Sequence, residues 1–302
     1  MQKLWNHYHS PTTIEEAAAL LQQYAGNARI IGGGTDLLVE RRDHQPQEAF
    51  IDISCIPEMT AITQQGDHAI IGGGVTHAKI VKSEVVAARA TCLVESCGVV
   101  GGPQVRNVAT LGGNVVHALP AGDGTTSLVA LNAEAEIFYN GTRQWVPILD
   151  MYKGAGVSLI DPTRDILLNF RIKLAAKHEA SAFKRIMRPQ GVALPVLGCA
   201  VWVRLTEDGS RYDAARICLA PIGATPGRAA EVEAALLSQP ADEDTLETAV
   251  QVALETLHPR TSKYRATGEY RQEMIAVLLR RTLPLAVHRA RTGEAIPEGV
   301  GQ

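Results

Sequence analysis

Glycine marks the stretches of this sequence that could do chemistry; no charged or nucleophilic constellation does. Gly32-Gly33-Gly34 runs into Thr35-Asp36-Leu37, Gly72-Gly73-Gly74 repeats the pattern, and Gly101-Gly102 leads through Thr110 to Gly112-Gly113-Asn114. Glycine accepts positive φ, and it lets a phosphate approach backbone amides that a side chain would screen. Other chemistries lack their parts. Cys92 and Cys97 are the nearest thiols and have no companion pair, so four thiolates for a cluster or a structural zinc are not available. No His-Glu-x-x-His, Gly-x-Ser-x-Gly or Gly-x-x-x-x-Gly-Lys-Ser/Thr occurs. His7 and His9 can share a strand face, where a surface role outweighs a metal site. No catalytic residue and no metal ligand is assigned, so redox or group-transfer chemistry would be carried by a cofactor.

Three readings of the glycine runs compete. Ala28–Leu37 looks like a dinucleotide turn, with Asp52 near the place of a ribose-binding acid. Its third glycine position is Leu37, however, and Asp36 would repel a pyrophosphate. A structural reading makes Gly32–Gly34 and Gly72–Gly74 two strand–turn–helix corners that both need positive φ. A cradle reading brings Gly32–Asp36 and Gly101–Asn114 together on the diphosphate of a long dinucleotide such as FAD. Thr35, Thr110 and Asn114 would then add donors, and Asp123 would accept from sugar hydroxyls. Asp123 reads equally well as a turn-forming residue before Gly124.

The elements that must position these residues follow from periodicity and caps. Residues 12–25 predict a helix capped by Thr12 or Thr13, with Glu15 and Glu16 in its first turn. Strands are expected at 28–31, 50–53, 68–71, 135–139, 144–147 and 166–172, and a short helix at 37–39. Asn140-Gly141 is a hairpin turn signal. Residues 83–97 predict one helix. After a connector near 174–180, strands are expected at 197–205 and 214–220, and helices at 229–237 and 244–257. A long helix over 264–290 places Tyr270, Met274, Val277 and Leu278 on one face, with Pro284 kinking or interrupting it. Residues 292–302 read as a loose tail. The domain boundary falls near residue 175.

Composition narrows the class. At 302 residues the length suits about two domains. A net charge of −3 argues against nucleic acid. No apolar run approaches a membrane span, and the N-terminus has no signal core. Five cysteines, an odd and sparse count, suggest reduced thiols and a cytoplasmic protein.

Taken together and in order, several motifs resemble the FAD-binding (medium) subunit of molybdenum hydroxylases, the xanthine dehydrogenase and carbon monoxide dehydrogenase family. They are Ile31-Gly-Gly-Gly-Thr-Asp-Leu37, Gly101–Asn114, Pro120-Ala-Gly-Asp123, Asp165-Ile-Leu167, Ala182-Phe-Lys184, Pro259–Arg265 and Glu269-Tyr-Arg271. The resemblance implies an α+β chain. Residues 1–174 would form a two-lobed FAD-binding domain of the vanillyl-alcohol-oxidase type, with lobes of about 1–55 and 56–174. Residues 175–302 would form a small α+β C-terminal domain.

The same resemblance implies site roles. Ile31, Gly32, Gly33, Gly34, Thr35, Asp36 and Leu37 would wrap the pyrophosphate of FAD, and Thr110, Gly112, Gly113 and Asn114 would meet it from the other lobe. Gly101 and Gly102 match the loop beside the adenosine. Val100 stands where some relatives carry an aromatic residue that stacks on the cofactor. Ala118 and Gly122 flank Asp123, which matches the acid on the ribityl or ribose end. Ile166 and Leu167 match apolar residues that pack on the flavin ring. Lys184 matches a lysine that tunes the ring, although a surface lysine is its plain alternative. Many relatives have an acid followed by an aromatic where this chain reads Arg188-Pro-Gln-Gly-Val192.

The implied function is electron exit. A large subunit would hold the molybdenum–pterin cofactor and oxidise a purine, N-heterocycle, aldehyde or CO, and a small subunit would hold two [2Fe–2S] clusters. The assembly would be a dimer of heterotrimers. The acceptor stays open among NAD, a quinone, a ferredoxin and oxygen. The alternative is a stand-alone FAD-dependent oxidoreductase with its own substrate site, for which His117 and Arg106 are the candidates. A third reading is a nucleotide-binding scaffold.

Overall fold

The computed structural model describes residues 5–40, 47–139, 141–188 and 194–300. Asn140 of the predicted hairpin turn, residues 189–192 of the Arg188–Val192 segment, and the first four residues lie outside them.

The first lobe is a parallel sheet with one helix. Strand β1 (Trp5–His9) leads to helix α1 (Ile14–Tyr24), then β2 (Ala28–Ile31) and β3 (Gln47–Asp52), in sheet order β1-β3-β2. Thr13 caps α1: its hydroxyl accepts from Glu16 N–H at 3.1 Å, while the Glu16 carboxylate accepts from the N–H of the preceding Thr12 at 2.8 Å. Ile14, Ala17 and Leu21 turn inward onto Ala28, Ala49 and Ile51. Residues 35–39 form turns in place of the expected short helix.

The second lobe runs α2 (Pro57–Thr60), β4 (Ile62–Gln65), β5 (His68–Gly72), then six short helices. These are α3 (His77–Val81), α4 (Glu84–Arg89), α5 (Thr91–Gly98), α6 (Pro103–Val108), α7 (Leu111–Val116) and α8 (Asp123–Ala130). The chain continues through β6 (Glu134–Tyr139), β7 (Thr142–Pro147), the small pair β8 (Tyr152–Gly154) and β9 (Val157–Ser158), and β10 (Ile166–Lys173). The antiparallel sheet order is β4-β5-β10-β6-β7. The single helix expected over 83–97 is two, because Ala90 leaves helical geometry at φ −147° and ψ 46°.

The C-terminal part is an antiparallel sheet of β11 (Glu179–Met187), β12 (Pro195–Leu205) and β13 (Tyr212–Ala220), with α9 (Ala230–Leu236), α10 (Glu243–Thr256) and α11 (Gly268–Thr292). Strand alternation divides its side chains between two cores. Phe183, Ala200, Trp202 and Cys218 join the core of the second lobe, while Ala182, Cys199, Val201 and Ile217 face Ile275, Leu279 and Leu283 of α11. The α+β expectation holds.

Three expectations for the C-terminal part are corrected. Helix α11 is not interrupted at Pro284, because the bond this proline cannot give would go to the carbonyl of Arg280 on the exposed side. Its buried face is Arg271, Ile275, Leu278, Leu279, Thr282 and Ala286, whereas Tyr270 is 44% exposed. The tail is anchored. Glu95 of α5 and Arg289 of α11 form a buried ion pair at 2.7 Å; Glu95 also accepts from Glu298 N–H at 2.8 Å, and Arg289 donates to Ile296 O at 2.5 Å.

Candidate functional site

The glycine runs meet edge to edge at a seam between the lobes. A Cβ on Gly33 would overlap the carbonyl of Val108, one on Gly112 the carbonyl of Gly73, and one on Gly73 the carbonyl of Leu167. On Gly32 it would stand 3.0 Å from the Thr110 hydroxyl. Hydrogen bonds knit the same backbones: Gly112 N–H to Gly73 O at 2.9 Å, Gly73 N–H to Leu168 O at 2.7 Å, and Leu111 N–H to Val75 O at 3.0 Å. A register shift in β10 between Leu167 and Asn169 accompanies the Leu168 contact. Close approach is therefore what most of these glycines serve. Positive φ occurs at Gly34 (+68°) and Gly101 (+50°) but at none of Gly72–Gly74, which corrects the expectation that both triple-glycine corners need it.

The seam leaves donors free. Among the described residues, the amides of Gly33, Gly34 and Thr35 have no acceptor within the chain. Thr110 caps α7 by accepting from Gly113 N–H at 3.0 Å, which leaves its own hydroxyl hydrogen to donate. Asn114 Oδ1 accepts from Thr125 N–H at 3.3 Å and lies 3.0 Å from where a Gly122 Cβ would stand. Its Nδ2 hydrogens have no acceptor among the described residues. His117 Nε2 lies 3.3 Å from Glu40 and 4.0 Å from Asp36, tying the end of α7 to the first loop.

Arginines shape the loop at 99–102. Arg106 donates to Gly101 O at 3.0 Å and Val100 O at 3.3 Å. Arg185 donates to Val99 O at 2.6 Å and pairs with Asp123 at 2.6 Å, where both side chains are 6% exposed. Burial pushes the Asp123 carboxyl up to about 6, against the pull of Arg185. His77 is 1% exposed and sends its backbone N–H to Ala109 O at 3.0 Å, yet its Nδ1 has no partner. Burial, then Arg106, lowers it to about 4, so the ring is neutral.

Not every expected residue comes to the seam. Ile31 and Leu37 flank the first loop, and Ala118 is buried at φ +54° with its carbonyl accepting from Gly156 N–H at 2.9 Å. Leu167 reaches Gly73 by its backbone and its side chain is 6% exposed; Ile166, on the opposite face of β10, is fully buried in the core of the first lobe. Lys184 pairs with Glu298 at 2.5 Å, on the face of β11 opposite Phe183 and Arg185. Sequence reasoning misses Arg185 and His77. Alternation along Ala182-Phe183-Lys184-Arg185 could find the first, since Arg185 shares the inward face of Phe183. Nothing in the sequence around His77 separates it from a surface histidine.

The arrangement can bind an anion flanked by hydroxyl-bearing groups. It offers no nucleophile paired with a base, and among the described residues no group of three or more His, Cys, Asp or Glu could hold a metal ion.

Comparison with known proteins agrees with this geometry. Residues 3–172 match a family model described as the FAD binding domain in molybdopterin dehydrogenase, and residues 181–286 match the CO dehydrogenase flavoprotein C-terminal domain. The chain is 28% identical over 281 residues to the carbon monoxide dehydrogenase medium chain of Hydrogenophaga pseudoflava, covering 92% of this chain and 96% of that one. It is 29% identical over 287 residues to the xanthine dehydrogenase FAD-binding subunit of Escherichia coli O157:H7, covering 94% and 96%. A solved structure of the Hydrogenophaga pseudoflava carbon monoxide dehydrogenase superposes with a TM-score of 0.87 at 28% identity, covering 96% of this chain and 99% of the other.

Proposed function

Because the chain belongs to the family of FAD-binding medium subunits of molybdenum hydroxylases, we propose that it is the electron-exit subunit of such a complex. It is an oxidoreductase flavoprotein subunit, and substrate oxidation takes place on another chain. The partners are a large subunit with the molybdenum cofactor and a small subunit with [2Fe–2S] clusters, paired as a dimer of heterotrimers. Electrons arrive from the clusters and leave to an external acceptor. Five free cysteines, four of them buried, suit a reducing compartment, and we place the complex in the cytoplasm. No helix among the described residues is long and apolar enough to cross a membrane.

The glycine seam is the observation that carries this reading. Its backbone fits a diphosphate, because the amides of Gly33, Gly34 and Thr35 have no acceptor among the described residues and the Thr110 hydroxyl hydrogen is free to donate beside Gly32. Gly32–Asp36 and Thr110–Asn114 would hold the diphosphate, Gly101 and Gly102 would flank the adenosine, and Asp123 would accept from ribityl or ribose hydroxyls. Bound FAD supplies the redox chemistry. The chain's own residues bind and orient it, and Arg185, not Lys184, stands beside the acid. The division at residue 175 belongs to the same proposal; the two family models leave residues 173–180 between them.

The stand-alone alternative loses its candidates. His117 is tied to Glu40, and Arg106 is spent on the carbonyls of Val100 and Gly101. Anaerobic reduction decides between the two. The account expects the flavin to bleach only when the cluster subunit and the molybdenum subunit are present with their substrate. Oxidation of a substrate by the FAD-loaded chain alone would contradict it.

A further inference from the structure

A second concentration of unmatched charge lies at the start of α11. The loop before the helix folds on itself, with Ser262 N–H bonded to Ala266 O at 2.9 Å and Gly268 N–H to Thr261 Oγ1 at 2.9 Å. Thr267 caps the helix by accepting from Tyr270 N–H at 3.2 Å. Arg271, one turn in, is 1% exposed. Its Nη1 donates to Arg260 O at 2.6 Å, and its buried Nε has no partner among the described residues. Arg265 reaches only the carbonyl of Pro195, at 3.5 Å. No carboxylate of the described residues lies within ion-pair distance of Arg260, Arg265 or Arg271.

The three guanidiniums oppose one another. Burial, then Arg265 and Arg260, holds Arg271 below its ordinary value. A buried cation with no acid is costly unless an anion joins it. We propose that residues 260–267 and the first turn of α11 form a site for a phosphate-class anion, seated on Arg260 and Arg265 with Arg271 behind them. A single carboxylate would leave two of the three charges unmatched and a phosphate monoester about one, whereas a diphosphate matches them. Guanidinium forks bond phosphate oxygens in pairs, and the start of a 25-residue helix adds partial positive charge, although most of its first amides are already capped.

This site shares no residue with the glycine seam and does not rest on the flavin reading. Its nearest link to the seam is electrostatic, since the charge of Asp123 acts on Arg265. Free pyrophosphate and the diphosphate of a soluble nucleotide present the same chemistry.

The test is calorimetric titration of the full FAD-loaded chain with inorganic pyrophosphate, ADP and adenosine, with flavin absorbance recorded throughout. The expected result is binding of pyrophosphate and ADP, weakened about tenfold or more in Arg260→Gln and in Arg265→Gln, with unchanged flavin content. ADP binding more tightly than pyrophosphate identifies a nucleotide as the source; equal affinities identify the free anion. Arg260 is exposed, so its variant keeps the fold even if Arg265→Gln does not. Absence of pyrophosphate and ADP binding in the parent, or unchanged affinity in Arg260→Gln, overturns the proposal. A chain that retains no FAD is titrated as purified. Pyrophosphate displaced by added FAD would assign the cluster to the cofactor's own phosphates and equally overturn a second site.

Discussion

The guanidinium of Arg185 lies 2.6 Å from the carboxylate of Asp123, and this pair joins the C-terminal sheet to the first residue of α8. Asp123 is the acid that the family resemblance assigns to the cofactor. Its neighbour Arg185 comes from a strand that the resemblance enters only through Ala182-Phe183-Lys184. The pair therefore makes the proposed FAD site a property of both parts of the chain.

Arg185→Gln is expected to weaken FAD affinity about tenfold or more, because it releases both Asp123 and the Val99 carbonyl. Lys184→Gln breaks a pair whose side chains are 27% and 51% exposed. Exposed pairs contribute under about 1 kcal/mol, so affinity is expected to change less than about threefold. Fluorescence titration of FAD into the two variants checks the contrast, and the reverse order would restore Lys184 as the flavin contact.

Gly33→Ala places a methyl group on the Val108 carbonyl and forces the lobes apart. Such overpacking costs about 2 kcal/mol or more, and FAD retention should fall with it. Gly227→Ala is the control: its Cβ would meet nothing within 4 Å, and surface changes of this kind stay within about 0.5 kcal/mol. Urea unfolding of the two variants measures the difference.

His77 gives the fold an acid sensitivity. Burial lowers it from 6.5 to about 4. Between those pH values the unfolded chain takes up a proton that native His77 does not, so stability falls as pH falls through the window, by about 3 kcal/mol. Asp123, raised from 3.8 to about 6, acts in the opposite direction over part of the same range. The comparison is therefore parent against His77→Gln, which removes one contribution and leaves the other. Between pH 7 and pH 4.5 the variant should lose less stability than the parent, as read from denaturation midpoints at the two pH values.

Glu95 and Arg289 are 0% and 2% exposed and tie α5 to α11 and the tail. Removing one partner strands a buried charge at a cost of about 3–5 kcal/mol. Glu95→Gln should unfold at markedly lower denaturant concentration than the parent, and Glu95→Gln with Arg289→Met should recover part of the loss. Chemical denaturation of all three proteins checks the order.

Caps and periodicity make α1 and most of the longer strands legible in the amino-acid sequence, and the family resemblance supplies the fold class. Thr13 and Glu16 announce α1, and a continuous apolar run announces β12. What stays hidden depends on contacts distant along the chain. The triple-glycine corners look alike, but only the first holds a positive φ, and the second is small because Met59 and Leu167 press on it. The apolar stripe sets α11 one residue out of phase, because Arg271, a charged residue, fills a core position. The tail reads as loose because its anchor, Glu95, sits in another helix. For the candidate site, the glycines and Asp123 are readable as types, whereas Arg185 requires the pleat of β11.

The central claim is that the glycine seam holds FAD. Its most direct test is the visible absorbance of the purified full chain, with the supernatant chromatographed after denaturation. The account predicts paired flavin bands and release of FAD close to one per chain, both lost in Gly33→Ala. A folded, colourless chain that takes up no added FAD, alone or co-expressed with its partner subunits, would contradict it.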